Sequence, residues 1–458
     1  MSTSTERPPA RELPSIGRAR TRELTERLAA VLGAERLSVD PSRIERLSVD
    51  WAHMSPILSA QLPAGRADLI ATPSRAEQIP EILRVAYQLE VPVTARGTGL
   101  GNYGQAIPLH GGLLLDVSAC RAVEEVGWQA DQAWVRAEAG VRMRDLDNAV
   151  AGHGQELRIY PSTKGSTLGG FLAGGSGGTG SITYGSNADG LVTALDVAPC
   201  DGSGELIHAE GEETVPYIHA YGITGVLARA TVLLAPRRDW VAVWAAAPDY
   251  PTGTDAMRAL LELDPEPRLV SLDEPTIVAE LPRDPALDPA RVSVRAIVAA
   301  QVADAASALL RRAGAEVLSV RTGLVAADRI TSLSYNHSTF HLQKRHPEYF
   351  HLEVAGTPLW DDPDAVRAIY PGTTLHLELM RERPIGMLMA PYVSPEQVYA
   401  GMDALEEIGM SYHSPHNWML DRRLDEVRAT VGRTDPRGLL NPGKLTSDGK
   451  DARWRPAS

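Results

Sequence analysis

Between Pro161 and Leu191 the chain reads PSTKGSTLGGFLAGGSGGTGSITYGSNADGL, with glycine at 165, 169, 170, 174, 175, 177, 178, 180, 185 and 190. A helix or strand interior is weakened by each glycine, so this density calls for a specific reason. A flexible linker is the plain alternative, but a linker would lack Leu168, Phe171 and Leu172, and the SITYG run, which reads as β-type. The other reason is a backbone that turns its amides toward one anionic ligand at close range.

A second glycine cluster supports that reading. In VPVTARGTGLGNYGQ, residues 91 to 105, a strand runs into a loop with glycines at 97, 99, 101 and 104. A dinucleotide fingerprint would open a helix here, yet NYGQAIPLHGG, with Pro108, cannot continue one. A nucleotide-triphosphate loop fails as well, because no Gly-Lys-Ser/Thr follows.

The net charge of −13 argues against a nucleic-acid partner, so an anionic ligand would be held by amides and local dipoles. Cys120 and Cys200 are the only cysteines, too few for a disulfide framework, and read as small buried hydrophobes. No stretch approaches the roughly 20 apolar residues of a membrane span. The opening MSTSTERPPARELPSIG has no apolar signal region, so a soluble, cytoplasmic protein is expected.

At 458 residues the chain is long enough for two domains. Residues 1–17 read as a flexible leader and 18–36 as helical. Strand–helix–strand follows in ADLIATP, AEQIPEILRVAYQLE and VPVTARG, then GGLLLDVS, QAWVRAEAG, a helix at MRDLDNAVAGHG, LVTALDVAPCDG and VLARATVLLAP. The expected organisation is a cofactor domain at 18–237, an α+β substrate (cap) domain at 238–410, and a return to the first domain at 411–458. The RLSVD pentapeptide occurs at 36–40 and 46–50 without making a repeat architecture.

Four segments, RGTGLGNYGQ at 96–105, PSTKGSTLGGFLAGGSGGTGSITYG at 161–185, YGITGVLARATVLLAP at 221–236 and DPRGLLNPGKL at 435–445, resemble the FAD-binding domain of the vanillyl-alcohol oxidase and p-cresol methylhydroxylase (PCMH) family. The resemblance covers about half the chain and implies an α+β fold in which a two-part FAD-binding domain of the PCMH type carries a cap. It implies that Arg96, Gly97, Thr98, Gly99, Leu100, Gly101 and Asn102 cradle the FAD pyrophosphate. Pro161, Ser162, Thr163, Gly165, Ser166, Thr167, Gly169, Gly170, Ala173, Gly174 and Thr179 would follow the ribityl chain and the flavin ring. Ile223 and Gly225 match the adenine-side strand, and Asn441 and Lys444 the tail that closes over the flavin. Relatives that attach flavin covalently use a His in the first loop and some a Cys in the second. This chain has Leu100 and Gly101 in the one and Thr163 in the other, so a dissociable FAD is expected unless a His or Tyr of the second domain forms the link.

FAD accepts hydride, which leaves the protein to orient substrate and remove a proton. In TLHLELM, alternation puts Leu375, Leu377 and Leu379 on one face and His376, Glu378 and Met380 on the other. That polar face is either the flavin's substrate side or a solvent-exposed strand face. Tyr412, His413 and His416 lie in a Pro-broken loop near the flavin-covering tail, so these three with His376 and Glu378 are the candidate catalytic residues. His337 and His341 have helical metal spacing but no supporting acid, and the HxGDGNxH motif of the D-2-hydroxy-acid dehydrogenase branch is absent, so no metal is expected. The expected function is FAD-dependent oxidation of a small alcohol, phenol or hydroxy acid by hydride transfer to flavin N5. The alternative is a non-catalytic flavin-binding electron carrier or partner subunit. A small-molecule substrate is the expected partner, with a homodimer possible.

Overall fold

Apolar periodicity alternates between 3.6 and 2 along the first half of the chain, and the computed structural model, which describes residues 13–381 and 383–445, turns that pattern into helices laid on sheets. Most of the expected leader, residues 1–12, and the end of the return, residues 446–458, lie outside the described residues.

The first sheet has four strands in the order Leu37–Ser38, Leu69–Ala71, Leu113–Asp116, Val93–Arg96, the last three parallel. Its crossover helix Gln78–Gln88 buries Ile79, Ile82, Leu83 and Val85 at i, i+3, i+4 spacing, each contributing about 1.5–3 kcal/mol. The expected strand–helix–strand opening is therefore present. Cys120 and Cys200 are free and buried in this core.

The second sheet is antiparallel, in the order Val123–Gln129, Gln132–Glu138, Val226–Pro236, Val192–Ala198, Ile207–Glu210, with Gln155–Leu157 also paired to Val226–Pro236. The second glycine segment threads between these elements. One expectation fails there: SITYG is not a strand, since Ser181–Tyr184 forms a helical turn between Gly180 and Gly185, both at positive φ. Four residues with left-handed glycines on either side have no partner strand to pair with.

Eight antiparallel strands make the third sheet: Glu316–Thr322, Trp240–Ala247, Val292–Ala299, Leu269–Asp273, Thr374–Met380, Arg383–Pro391, Tyr349–Ala355 and Ser411–His413. Its register places His413 opposite Glu353, Glu353 opposite Met387, Met387 opposite His376, and His376 opposite Asp273. Paired residues share a face, so five strands carry this row, four of them contributing a polar group and Arg383–Pro391 contributing Met387. The alternate positions, among them Leu272, Leu352, Leu375, Leu377 and Leu388, are buried in the third core. Both faces of Thr374–Met380 are covered, which removes the solvent-exposed reading of that strand. The segment carrying Leu333, Tyr335 and Ser338 lies on the polar face and hydrogen-bonds to it.

Candidate functional site

The first glycine loop leaves strand Val93–Arg96 and is braced from three directions. Arg96, 7% exposed, donates to Val49 O at 2.6 Å. Gly99 sits at φ +68°, a backbone that strains any side chain, and a Cβ there would displace the Arg96 guanidinium. From the far end of the chain, Lys444 Nζ donates to Gly104 O at 2.5 Å, and Asn441 Nδ2 donates to Gln105 O and Tyr221 O at 2.8 Å each. Lys444 is fully buried, and desolvation lowers its ammonium to about 7, opposed by the charge of Asp50. Asn441 and Lys444 thus hold the loop's carbonyls.

In the second segment Thr167 caps helix Leu168–Gly174, its Oγ1 accepting from Gly170 N at 3.1 Å. Thr167 also touches the first loop, since a Cβ on Gly97 would overlap its hydroxyl. Between the two runs lies a solvent-open cleft. Its walls include Arg96, Gly97, Thr98, Gly99, Leu100 and Gly101 from the first loop and Ser166, Thr167, Gly169, Gly170, Ala173 and Gly174 from the second. Gly225 and Tyr221 complete it. A Cβ on Gly174 would meet nothing within 4 Å, and Arg96 Nε is buried without a partner. Bare backbone on both walls and one cationic side chain with a donor to spare fit an elongated anion such as a dinucleotide.

Two polar clusters lie beyond the cleft. From Tyr221 the path runs to the His219 ring, 5.7 Å away, which occupies the place a Gly175 Cβ would take, and from His219 to His413 at 5.6 Å. His413 Nδ1 hydrogen-bonds to Glu353 Oε2 at 3.2 Å, and Tyr103 Oη donates to Glu353 Oε1 at 2.9 Å. Burial pushes the Glu353 carboxyl up, but the hydrogen bond and charge of His413, with the Tyr103 hydrogen bond, outweigh it and hold Glu353 below the usual range. Burial, aided by nearby cations, drives His219 down to about 2, so its ring is neutral. In the second cluster His376 Nδ1 pairs with Asp273 at 2.7 Å and Nε2 with Glu378 Oε1 at 3.0 Å, while Asp273 also pairs with Arg295. All four are at most 1% exposed. Burial opposes the His376 charge, yet Asp273 and Glu378 raise it to about 9; Asp273, pushed up by burial, is brought down to about 2 by Arg295 and His376. Tyr335, at φ +54°, joins this network to the second loop: its N–H donates to Glu378 and its hydroxyl to Gly178 O at 2.5 Å.

Residues 67–209 match the family described as FAD binding domain. An uncharacterized FAD-linked oxidoreductase of Mycobacterium tuberculosis is 30% identical over 226 residues, 47% of each chain. The D-lactate dehydrogenase of Archaeoglobus fulgidus is 29% identical over 205 residues, 43% of this chain and 44% of that one. The glycolate oxidase subunit GlcD of Escherichia coli is 29% identical over 176 residues, 37% and 35% of the two chains. The chain spans a little under half the length of the curated relatives it matches. A solved alkyldihydroxyacetonephosphate synthase superposes with a TM-score of 0.73 at 16% identity, covering 94% of this chain and 86% of that one, a likeness of fold. The chain carries an FAD-binding domain of the PCMH type.

Not every residue expected to touch the cofactor lines the cleft of this FAD-binding domain. Asn102, Pro161, Ser162, Thr163, Gly165, Thr179, Ile223, Asn441 and Lys444 are outside its walls. Ile223 packs with Tyr103, Tyr221, Leu420 and Val427 in a small core, and Thr179 hydrogen-bonds to Thr331. The walls gain Gln105, Tyr221 and Gly222, which lie within the quoted segments without having been singled out, and Ala106 just beyond the first. Of the catalytic candidates, His376 and Glu378 share the sealed network, and His413 joins Glu353 and Tyr103. Tyr412 pairs opposite Val354 on the neighbouring strand, and His416 bonds to Ser55 at 2.6 Å, with burial lowering it to about 3. Five candidates therefore fall into separate places. Sequence reasoning missed Tyr103, His219 and Glu353. YFHLEVA has the same polar alternation that singled out TLHLELM, and that signal points to Glu353. His337 and His341 stand one turn apart on helix Asn336–Arg345, and among the described residues no three metal-binding side chains converge. No helix among those residues is long and apolar enough to cross a membrane.

Proposed function

We propose that this protein is an FAD-dependent oxidoreductase that oxidises a small organic substrate, an alcohol, phenol or hydroxy acid, with non-covalently held FAD. The observation that carries the reading is continuity: the glycine-walled cleft leads through Tyr221 and His219 to the Tyr103–Glu353–His413 cluster. When bound, FAD would supply the two-electron acceptor for the hydrogen that leaves the substrate carbon as hydride. The chain's own part is to hold the substrate and take its hydroxyl proton. Glu353, ionised and fixed by Tyr103 and His413, is placed for that proton, while His376 and Glu378, sealed with Asp273 and Arg295, set the backbone of Tyr335 and through it Gly178. In this reading residues 18–237 hold the cofactor, 238–410 the substrate side, and 411–458 return to brace the first loop. The relatives named for D-lactate and glycolate support oxidation of a hydroxyl-bearing carbon as the reaction class.

The test is anaerobic. Purified protein loaded with FAD is mixed with a panel of alcohols, phenols and hydroxy acids, and the yellow absorbance is followed. Bleaching by at least one class is the expected result. A yellow protein that no compound bleaches is instead a flavin carrier or partner subunit, and a protein that takes up no FAD overturns the reading entirely.

A further inference from the structure

We propose that Arg422 selects the substrate of this site, its guanidinium holding a carboxylate carried by the molecule whose hydroxyl is oxidised. The inference rests on the oxidoreductase reading above and narrows its substrate class.

Three observations lead to it. First, packing places Arg422 beside Tyr221, where the cleft leads toward His219. Leu420 and Leu424, on either side of it in sequence, pack in one small core with Tyr103 and Tyr221, and Tyr221 belongs to the cleft wall. Arg423 fixes the segment by donating to the carbonyls of Val215 and Ile218, in the run that leads into His219. Second, the guanidinium is only partly engaged. Its Nε meets Asp421 Oδ1 at 3.3 Å, and among the described residues neither Nη1 nor Nη2 has a protein partner. Arg423 and Lys444, by contrast, are turned onto backbone carbonyls. Third, its charge acts inward. Burial is the main cause of the low His219 value, and Arg422 comes next, ahead of His413, whose ring stands 5.6 Å away. Burial raises the Tyr103 and Tyr221 hydroxyls, and Arg422 opposes it at both. A side chain reaching into bulk water would be screened from all three.

The terminal nitrogens of a guanidinium lie in one plane and match the paired oxygens of a carboxylate. Asp421 sits against Nε, and Glu353 lies beyond Tyr103 with His413 as its own partner. One guanidinium beside these acids balances a monoanion, whereas a phosphate dianion would stay under-compensated. Such a charge-assisted contact strengthens binding by about 10-fold or more.

The experiment titrates FAD-loaded protein anaerobically with lactate, mandelate and 3-hydroxybutyrate, each beside its neutral amide, and with glycerol 3-phosphate. Flavin absorbance reads binding as well as reduction. Wild type should bind at least one acid about 10-fold or more tighter than the amide of the same compound. Arg422→Gln should keep its FAD and lose that preference by weakening the acid alone, leaving the amide where it was. Arg422→Lys retains the charge and should recover part of the preference. The Arg422 side chain is 40% accessible, so both variants should fold, and their yellow colour checks it. Equal binding of acid and amide by wild type, silence toward every acid, tighter binding of glycerol 3-phosphate than of any acid, or an undiminished preference in yellow Arg422→Gln protein overturns the proposal. Should the protein hold no FAD, the oxidoreductase reading falls, and calorimetric titration with the same pairs still decides for or against Arg422.

Discussion

Glycine at 99 and at 174 serves different ends, and the difference is measurable. Gly99 lies at φ +68° with the Arg96 guanidinium where a side chain would stand. Gly174 ends a short helix with ordinary backbone angles and faces the cleft. Gly99→Val should therefore cost stability as well as cofactor, by about 1–3 kcal/mol for the strained backbone alone. Gly174→Val should lose FAD while the apo-protein's unfolding free energy changes by about 1 kcal/mol or less. Cofactor retention after gel filtration, read beside urea melts, separates the two. The glycines were legible because a residue without a side chain announces a backbone requirement. Glu353 and Tyr103 were harder to see, because a carboxylate and a phenol 250 residues apart acquire meaning only when the strand Tyr349–Ala355 meets the first loop.

At the scale of elements, the tail behaves as a brace. Asn441 N–H donates to Val93 O at 2.7 Å, and its side chain fixes the carbonyls of Gln105 and Tyr221, so one residue at φ +43° ties a strand, a loop and the cleft wall. Asn441→Ala should cost about 1–3 kcal/mol by leaving those carbonyls without donors, and FAD affinity should fall with it. Equilibrium unfolding and a fluorescence titration with FAD would check both. Helices such as Gln78–Gln88 could be read from their apolar period, and strands such as Leu113–Asp116, buried on both faces, from short apolar runs bounded by glycine. The helical turn at Ser181–Tyr184 could not, since four β-prone residues carry no period and their shape is imposed by Gly180 and Gly185.

Across the whole molecule, the buried Asp273–His376 pair makes stability depend on pH in two windows. His376 has a folded value of about 9 against about 6.5 unfolded. Its contribution is complete below about pH 6.5 and is lost as pH rises through 9. Asp273, held at about 2 against about 3.9 unfolded, contributes fully above about pH 3.9 and loses that as pH falls through 2. Denaturant midpoints measured across pH should decline on the alkaline side, and His376→Gln should flatten that decline while lowering stability at neutral pH. A midpoint profile unchanged by the substitution would show that the pair does not carry the charge assigned to it. The alternation of TLHLELM disclosed which side chains share a face, but the third sheet's strand order, which brings residues 273, 295, 353, 376 and 413 together, has no signature in local sequence.

The clamp that Asn441 and Lys444 place on Gly104 and Gln105 closes a loop of more than 330 residues. A ribosome making this polypeptide must emit it through Lys444 before the first cradle can harden, so capture of the vitamin-derived prosthetic group waits on the segment that carries Asn441 and Lys444.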